Sequence, residues 1–409
     1  MPHETALIAT ICVSLAFAFV GGFVAVRLRL PPLVGYLLAG IAIGPFTPGF
    51  VADAQLAAEL AEIGVMLLMF GVDMHFSLGN LLAVRTIALS GALTQMATAT
   101  TLALAVTRLW GWPLGAGLVF GLALSVASTV VLLRALEARG TLDSVDGRIA
   151  VGWLIVEDVV MVLTLVLLPA LAGLLGGRTP DPTHVGAGEI LLTLGLTLAK
   201  VAAFVVLMLL VGARLLHWLL AAVVRTGSRE LFTLAVVAVA LGVAYGAAEL
   251  FGVSFALGAF FAGVVINGSD HSHRAAADSQ PLQDAFAVLF FVSVGMLVDP
   301  RILVRQPFQV MAVVAIIIFG KSLAAFLIVR AFRYPRHTGL TVAASLAQIG
   351  EFSFILAGLG LTLGLLAPEG QHLILVGSLL SITLNPLAFR ATDAISAWRR
   401  TATTAVAPD

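Results

Sequence analysis

The sequence predicts an all-α polytopic membrane protein of thirteen transmembrane helices, built as an inverted repeat with two interrupted helices. Three observations predict this. The composition is 60% hydrophobic and 11% charged, with a mean hydropathy of +1.08 over 409 residues, whereas an ordinary soluble domain is nearer 45–50% apolar and about 25% charged. Apolar runs long enough to cross a bilayer recur along the whole chain. Segments 223 residues apart also resemble each other: "GYLLAGIAIG" from Gly35 reads like "GAFFAGVVIN" from Gly258, sharing Gly-xxx-Ala-Gly-xx-Ile.

Divided at charged or Pro/Gly-rich breaks, the runs fall near 5–26, 31–45, 54–74, 81–106, 113–136, 148–175, 188–222, 231–250, 253–268, 281–298, 307–332, 338–366 and 370–391. The residues before the first run, "MPHET", carry an acid and no Lys or Arg, so the run reads as a retained helix and not a cleaved signal. Runs two and nine are short and rich in glycine, which suits helices packed inside a bundle. Taking alternate connections as cytoplasmic puts sixteen arginines on one side and only Arg108, Arg178, Arg301 and Arg305 on the other, with Lys200 and Lys321 inside helices. Positive charge concentrates in cytoplasmic loops, so the N-terminus is expected outside and the C-terminus in the cytoplasm. Cys12 is the single cysteine and leaves no disulfide framework. A formal charge of zero gives no sign of a nucleic-acid partner.

The repeat extends to the polar residues. The same 223-residue displacement carries Ser125 and Ser128 of run five onto Gln348 and Glu351 of run twelve, and at both places polar groups interrupt an apolar helix. Seven spans separate the copies, so their topologies are opposite. Inverted repeats with interrupted helices are the architecture of secondary transporters, whose sites lie near the midplane where unwound backbone can bind an ion. The residue equivalent to Asp158 in the second copy is Ser381. One acidic centre is therefore expected.

That centre lies in "GWLIVEDVVMVLTLVLLP", where Glu157 and Asp158 adjoin inside run six. Each acid at a helix centre costs roughly 2.5–3.5 kcal/mol on insertion scales, so intramembrane ionisable groups default to functional hypotheses. Neighbours on a helix point about 100° apart, so the two acids have different roles. Structural neutralisation by Lys200 or Lys321 is the alternative. In "LALSVASTVVLL", Ser125, Ser128 and Thr129 offer hydroxyls and freed carbonyls to a small cation; bonding back to their own helix is the competing use. In "SLAQIGEFSF", Gln348 and Glu351 flank Gly350, and Glu351 either supports the positive end of a half-helix, pairs with Lys321, or meets the ion. Glu62 and Gln95 read as satisfied structural groups, Asp73 and His75 as a solvated helix end, and His271 and His273 as a solvated loop. No HExxH, Cys/His cluster or phosphate-binding loop occurs, so metalloenzyme and ATPase readings lack residues.

A buried carboxylate can hold a proton or, once ionised, a desolvated monovalent cation, but scarcely both. If the protein turns that site between faces only when it is occupied, one ion's descent drives the other's ascent. The reading is antiport, with no cofactor beyond the transported K+ or Na+ and H+. A cation channel and an ion-coupled organic-anion symporter are the competing readings; the second needs basic or aromatic groups at the site, and only Lys321 offers itself.

With these pieces assembled, the chain resembles the second family of monovalent cation:proton antiporters, particularly its Kef-type potassium:proton branch. The likeness rests on "AEIGVMLLMFGVDM", "LALSVASTVVLL", "IVEDVVMVL", "FFVSVGMLVD" and "AQIGEFSFILAG" in order. The resemblance implies a homodimer of the sodium/proton-antiporter fold in a bacterial plasma membrane, with two interrupted helices crossing. It implies a core of helices 3–6 and 10–13 (about 54–175 and 281–391) moving against a dimerisation part of helices 1–2 and 7–9 (about 5–45 and 188–268). It also implies that Asp158 carries cation and proton, with Glu157 supporting. Three departures stand out. Kef-type relatives often have Gln where this chain has Glu157. Run ten contains no Lys, although some electrogenic relatives place one there, which favours electroneutral exchange. Many relatives continue into a nucleotide-binding regulatory domain, which is not expected here because the chain stops soon after "SAWRRTATTAVAPD".

Overall fold

The computed structural model describes residues 3–48, 54–73, 78–178 and 187–404. Among them the secondary structure is helical, with no strand. α1 (His3–Arg27) and α2 (Pro32–Ile43) form the first hairpin, Pro32 opening α2 where its missing N–H leaves no gap in the helix. α3 (Ala54–Asp73) and the long α4 (Leu78–Leu109) follow. Run five is split into α5 (Leu114–Ser125) and α6 (Thr129–Ala138), and the acid pair rides on α7 (Val145–Leu171). α8 (Ala187–Leu207) and α9 (Ala213–Val224), joined by a π-helical turn at Met208–Gly212, connect the two copies.

The second copy repeats the order with α10 (Arg229–Phe251), α11 (Phe255–Asn267) and α12 (Ser272–Met296). After the single turn α13 (Ile302–Arg305), α14 (Pro307–Ala315) passes through a π-turn at Ile316–Gly320 into α15 (Lys321–Ala331). Run twelve is split into α16 (Arg336–Ser345) and α17 (Glu351–Thr362), and α18 (Pro368–Thr404) ends the described chain. Serines close several exposed helix starts: Ser144 accepts from the Gly147 amide at 3.1 Å and Ser228 from that of Leu231 at 3.2 Å, satisfying N–H groups that a helix leaves unpaired.

The repeat seen in the sequence recurs in the packing. A methyl group on Gly21 would stand 2.4 Å from the carbonyl oxygen of Gly35, so α1 and α2 touch backbone to backbone. The residues 223 positions on, Ala244 and Gly258, bring α10 and α11 together in the same way, with a methyl on Gly258 only 2.7 Å from Ala244 Cα. Eight helical stretches among the described residues are long and apolar enough to cross a bilayer, and three shorter apolar helices, Pro32–Ile43, Phe255–Asn267 and Glu351–Thr362, accompany them. α3 and α12 lie outside that set and pack along each other, with α12 also against α2 and α3 also against α11. The other grouping centres on the breaks: α4 packs on α5, α7 and α15, α16 on α15 and α18, and α17 on α5 and α18.

The two interruptions cross inside the bundle, and glycine permits it. A methyl on Gly350 would lie 2.4 Å from both Cα and Cβ of Ser128, a clash that only displacement of one chain relieves. Gly358, two turns along α17, has no atom within 4 Å of such a methyl. Gly350→Ala is therefore expected to destabilise the purified protein by about 1–3 kcal/mol or more, and Gly358→Ala to leave its thermal midpoint near the starting value; equal midpoints for the two variants would refute the tight crossing.

Candidate functional site: a carboxylate cluster at two crossing helix breaks

α5 ends at Ser125, the chain is extended from Val126 to Ser128, and α6 starts at Thr129. α16 ends at Ser345 and α17 starts at Glu351, leaving Leu346–Gly350 outside helix. Two helix C-termini and two N-termini thus converge, exposing backbone groups that an unbroken helix would satisfy. Gln348 ties the breaks together as an amide clamp. Its Oε1 accepts from the Ser128 amide at 2.8 Å, while its Nε2 donates to Ser128 O and to Ser345 O, each at 3.2 Å. The Ser128 hydroxyl donates to Glu351 Oε2 at 3.1 Å and caps α6 by accepting from the Val131 amide at 3.3 Å. Ser128 and Glu351 are repeat-equivalent positions, so this bond lies on the pseudo-twofold axis. Glu351 stands in the first turn of α17, where a negative charge suits the helix dipole.

α7 delivers both acids to the first break, Glu157 fully buried and Asp158 3% exposed. Because adjacent helix positions diverge, they reach different residues. Glu157 Oε2 accepts from the Ala127 amide at 2.8 Å, and Asp158 Oδ2 accepts from the Thr129 hydroxyl at 3.2 Å. Their other oxygens, Glu157 Oε1 and Asp158 Oδ1, have no hydrogen-bond partner, and neither has Glu351 Oε1. Among the described residues no Lys, Arg or His nitrogen comes within 4.0 Å of these three carboxyl groups. Lys200 is exposed on α8. Lys321 is fully buried and gives its Nζ to Gln348 O at 3.0 Å. Thus run ten has no lysine, yet the cluster has one, from run eleven.

The supporting residues divide. The Ser125 hydroxyl bonds back to Leu122 O at 2.7 Å, the competing use foreseen from sequence, and Ser125 O accepts from Gln95 Nε2 at 3.1 Å. Ser128 and Gln348 spend their polar atoms joining the breaks. Thr129 alone of the first-break hydroxyls touches Asp158. The carbonyls of Val126 and Ala127 accept no hydrogen bond among the described residues. Around the second break more side chains engage carbonyls: Asn385 donates to Ala344 O at 2.8 Å and Ser322 to Ala343 O at 3.0 Å at the end of α16, and Ser378 to Ile349 O at 3.1 Å within the break. Ser381, the repeat equivalent of Asp158, turns to Ser378 O at 3.0 Å. The sequence reading passed over Asn385, Ser378 and Ser322, whose signal was polarity inside the apolar runs eleven and thirteen.

Two cavities flank the cluster. One of about 390 Å³ is lined by Tyr36, Gly71, Thr129, Arg134, Gln283 and Asp284, among others, toward the arginine-rich face. Thr129 brings it to within one residue of Asp158. The other, about 400 Å³, is lined by Glu62, Ser254, Phe290, Ser293, Phe354 and Gln371, among others, and includes no residue bonded to either acid. They are related by the repeat: Leu33 and Gly71 of the first correspond to Ala256 and Val294 of the second. His271 and His273 lie at the start of α12, away from the cluster. The side chain of Asp73 and the whole of His75 fall outside the described residues.

A helical bundle with two crossing interruptions and unpaired acids between them defines an integral membrane protein of the antiporter architecture. The sodium/hydrogen exchanger transmembrane family matches residues 15–392, and the chain belongs to that family. The Escherichia coli (strain K12) protein YbaL, named provisionally as a cation/proton antiporter, is 62% identical over 389 residues, which are 95% of this chain and 69% of that protein. The K(+) efflux antiporter 4 of Arabidopsis thaliana is 33% identical over 391 residues, 95% of this chain and 64% of its own length. The chain thus spans roughly two thirds of each. The solved sodium proton antiporter MjNhaP1 of Methanocaldococcus jannaschii superposes with a TM-score of 0.73 over 96% of this chain and 99% of that one, at 16% identity. That likeness establishes the fold.

Loss of the amide clamp has a calculable consequence. Gln348→Leu leaves the buried Ser128 N–H and the Ser345 carbonyl without partners, while Ser128 O keeps the Leu132 amide at 3.1 Å, at about 1–3 kcal/mol for each unsatisfied group. A lowered unfolding midpoint in detergent is expected; a midpoint within a degree or so of the parent would show that the clamp is not needed.

Proposed function

We propose that the protein exchanges a monovalent cation for protons across the membrane by alternating access at Asp158, with K+ the favoured cation and Na+ the alternative. One observation carries the reading. Asp158 is buried, keeps one oxygen unpartnered, has no countercharge, and is bonded to the residue that borders the cavity on the arginine-rich side. A bare carboxylate in that position is costly, so a proton or a desolvated cation fills it. The Thr129 hydroxyl and the free Val126 and Ala127 carbonyls supply further hard oxygens for the cation. Glu157, held on the Ala127 amide, steadies the break and keeps a second acid one residue away.

Exchange follows from competition. Protonation of Asp158 removes the charge that holds the cation, and arrival of the cation displaces the proton. Turning the loaded site from one cavity to the other needs relative motion of two bodies. The packing favours a moving body of α4–α7 and α14–α18, with α3 and α12 kept beside α1, α2, α10 and α11. The boundary read from sequence had put helices three and ten in the moving core. A homodimer in a bacterial plasma membrane is part of this reading. The K+ preference draws on the name of the Arabidopsis relative and on the likeness to the Kef-type branch.

The test is Asp158→Asn, which keeps shape and loses ionisation. In proteoliposomes it is expected to abolish cation-driven proton movement for K+ and Na+ alike. Undiminished exchange in that variant would exclude Asp158, and current far above carrier turnover in the parent protein would favour a channel.

A further inference from the structure

Lys321 and Gln95 form a related pair. Lys321 on α15 donates to Gln348 O at 3.0 Å, and Gln95 on α4 donates to Ser125 O at 3.1 Å. Ser125 and Gln348 are repeat equivalents, and α4 corresponds to the stretch from α13 through α15, with Gln95 matching Ile318, one turn before Lys321. Each interrupted helix therefore has the same carbonyl held by a long side chain from the helix before it. In the second copy the donor is an ammonium that follows the π-turn Ile316–Gly320; in the first it is a neutral amide. Gln95 is fully buried. Its Oε1 accepts from Trp153 Nε1 at 3.4 Å, and the Trp153 ring is wedged against Gly91, where a methyl would lie 2.4 Å from it. Trp153 stands one turn before Glu157 on α7. Gln95 thus joins α4 both to the end of α5 and to the helix of the acid pair.

We infer that Gln95 is a positioning residue that sets cation specificity by withholding the Ser125 carbonyl from the ion. The inference rests on the exchange reading above. With Gln95 in place, the first break offers two carbonyls unbonded among the described residues, those of Val126 and Ala127, two and three residues before Thr129, whose hydroxyl meets Asp158. Without its amide, the Ser125 carbonyl, next in the chain, becomes a third. Discrimination between K+ and Na+ depends on the number and field strength of coordinating carbonyls. A larger, more weakly hydrated ion profits more from an added ligand, so loss of the donor shifts preference toward K+.

The experiment compares KM for K+ and Na+ and kcat for each in proteoliposomes containing the full chain. Gln95→Leu removes the donor; Gln95→Met, unbranched and of similar reach, is the second donorless variant should Leu impair assembly. The expected result is a K+ over Na+ preference raised about tenfold, equivalent to about 1.4 kcal/mol, carried by KM with kcat largely kept. Gln95→His, which retains a ring N–H, is expected to restore the parent preference. A preference unchanged in the donorless variants, an equal loss of kcat for both ions, or the same shift in the His variant would overturn the inference. Because preference is read in a working exchanger, its failure leaves Asp158 untouched, whereas failure of Asp158→Asn to stop exchange removes the reading beneath both.

Discussion

The structure is organised around buried carboxyl oxygens that have no hydrogen-bond or ion-pair partner among the described residues, with Lys321 buried nearby on Gln348 O. Glu157, Asp158 and Glu351 each keep one unpartnered oxygen inside the bundle, where water cannot substitute for a partner and an ionised group is strongly disfavoured. A buried acid of this kind is stabilised by a proton or by a bound cation. The surrounding geometry serves this condition. The crossing at Gly350 and Ser128 brings two chain breaks to one point, and the Gln348 clamp fixes them there, so the partial charges of four helix ends are held in place around the acids.

The two copies of the repeat share a backbone plan and differ in how they treat it. In the second copy Lys321 and Ser378 engage the Gln348 and Ile349 carbonyls of the break, Ser322 and Asn385 those of Ala343 and Ala344 just before it, and Ser381 replaces the acid. In the first, only Ser125 O and Ser128 O are engaged by side chains, from Gln95 and Gln348, while the Val126 and Ala127 carbonyls stay open. Symmetry thus supplies the crossing and two matching cavities, and asymmetry places the adjacent acid pair in the first copy alone.

Much of this was legible in the residues. Hydropathy located the helices, because apolar composition is what a bilayer demands of each crossing, and the 223-residue displacement located both breaks, because only polar residues at matched positions interrupt the runs. What sequence could not reveal is where a polar atom points. Ser125 and Thr129 look alike in "LALSVAST", yet one hydroxyl folds back on Leu122 O and the other reaches Asp158. Gln348 offers a ligand's chemistry and is consumed as a clamp. Of the two lysines weighed as partners for the acids, Lys321 lies buried by the second break and Lys200 is exposed, a difference that chain order does not carry. Gln95 reads as a satisfied structural group, and satisfied it is; the role it shares with Lys321, one turn off the repeat-equivalent position, emerges only once both carbonyl partners are known.

The most direct test of the central claim is proton release on cation binding. The purified protein in weak buffer, below the pH at which its site loses its proton unaided, is titrated with K+ or Na+ while free proton is followed with an indicator dye. Exchange at a single carboxylate predicts about one proton released per cation bound, and none from the Asp158→Asn protein. Saturable cation binding with no proton released from the parent protein would contradict the account.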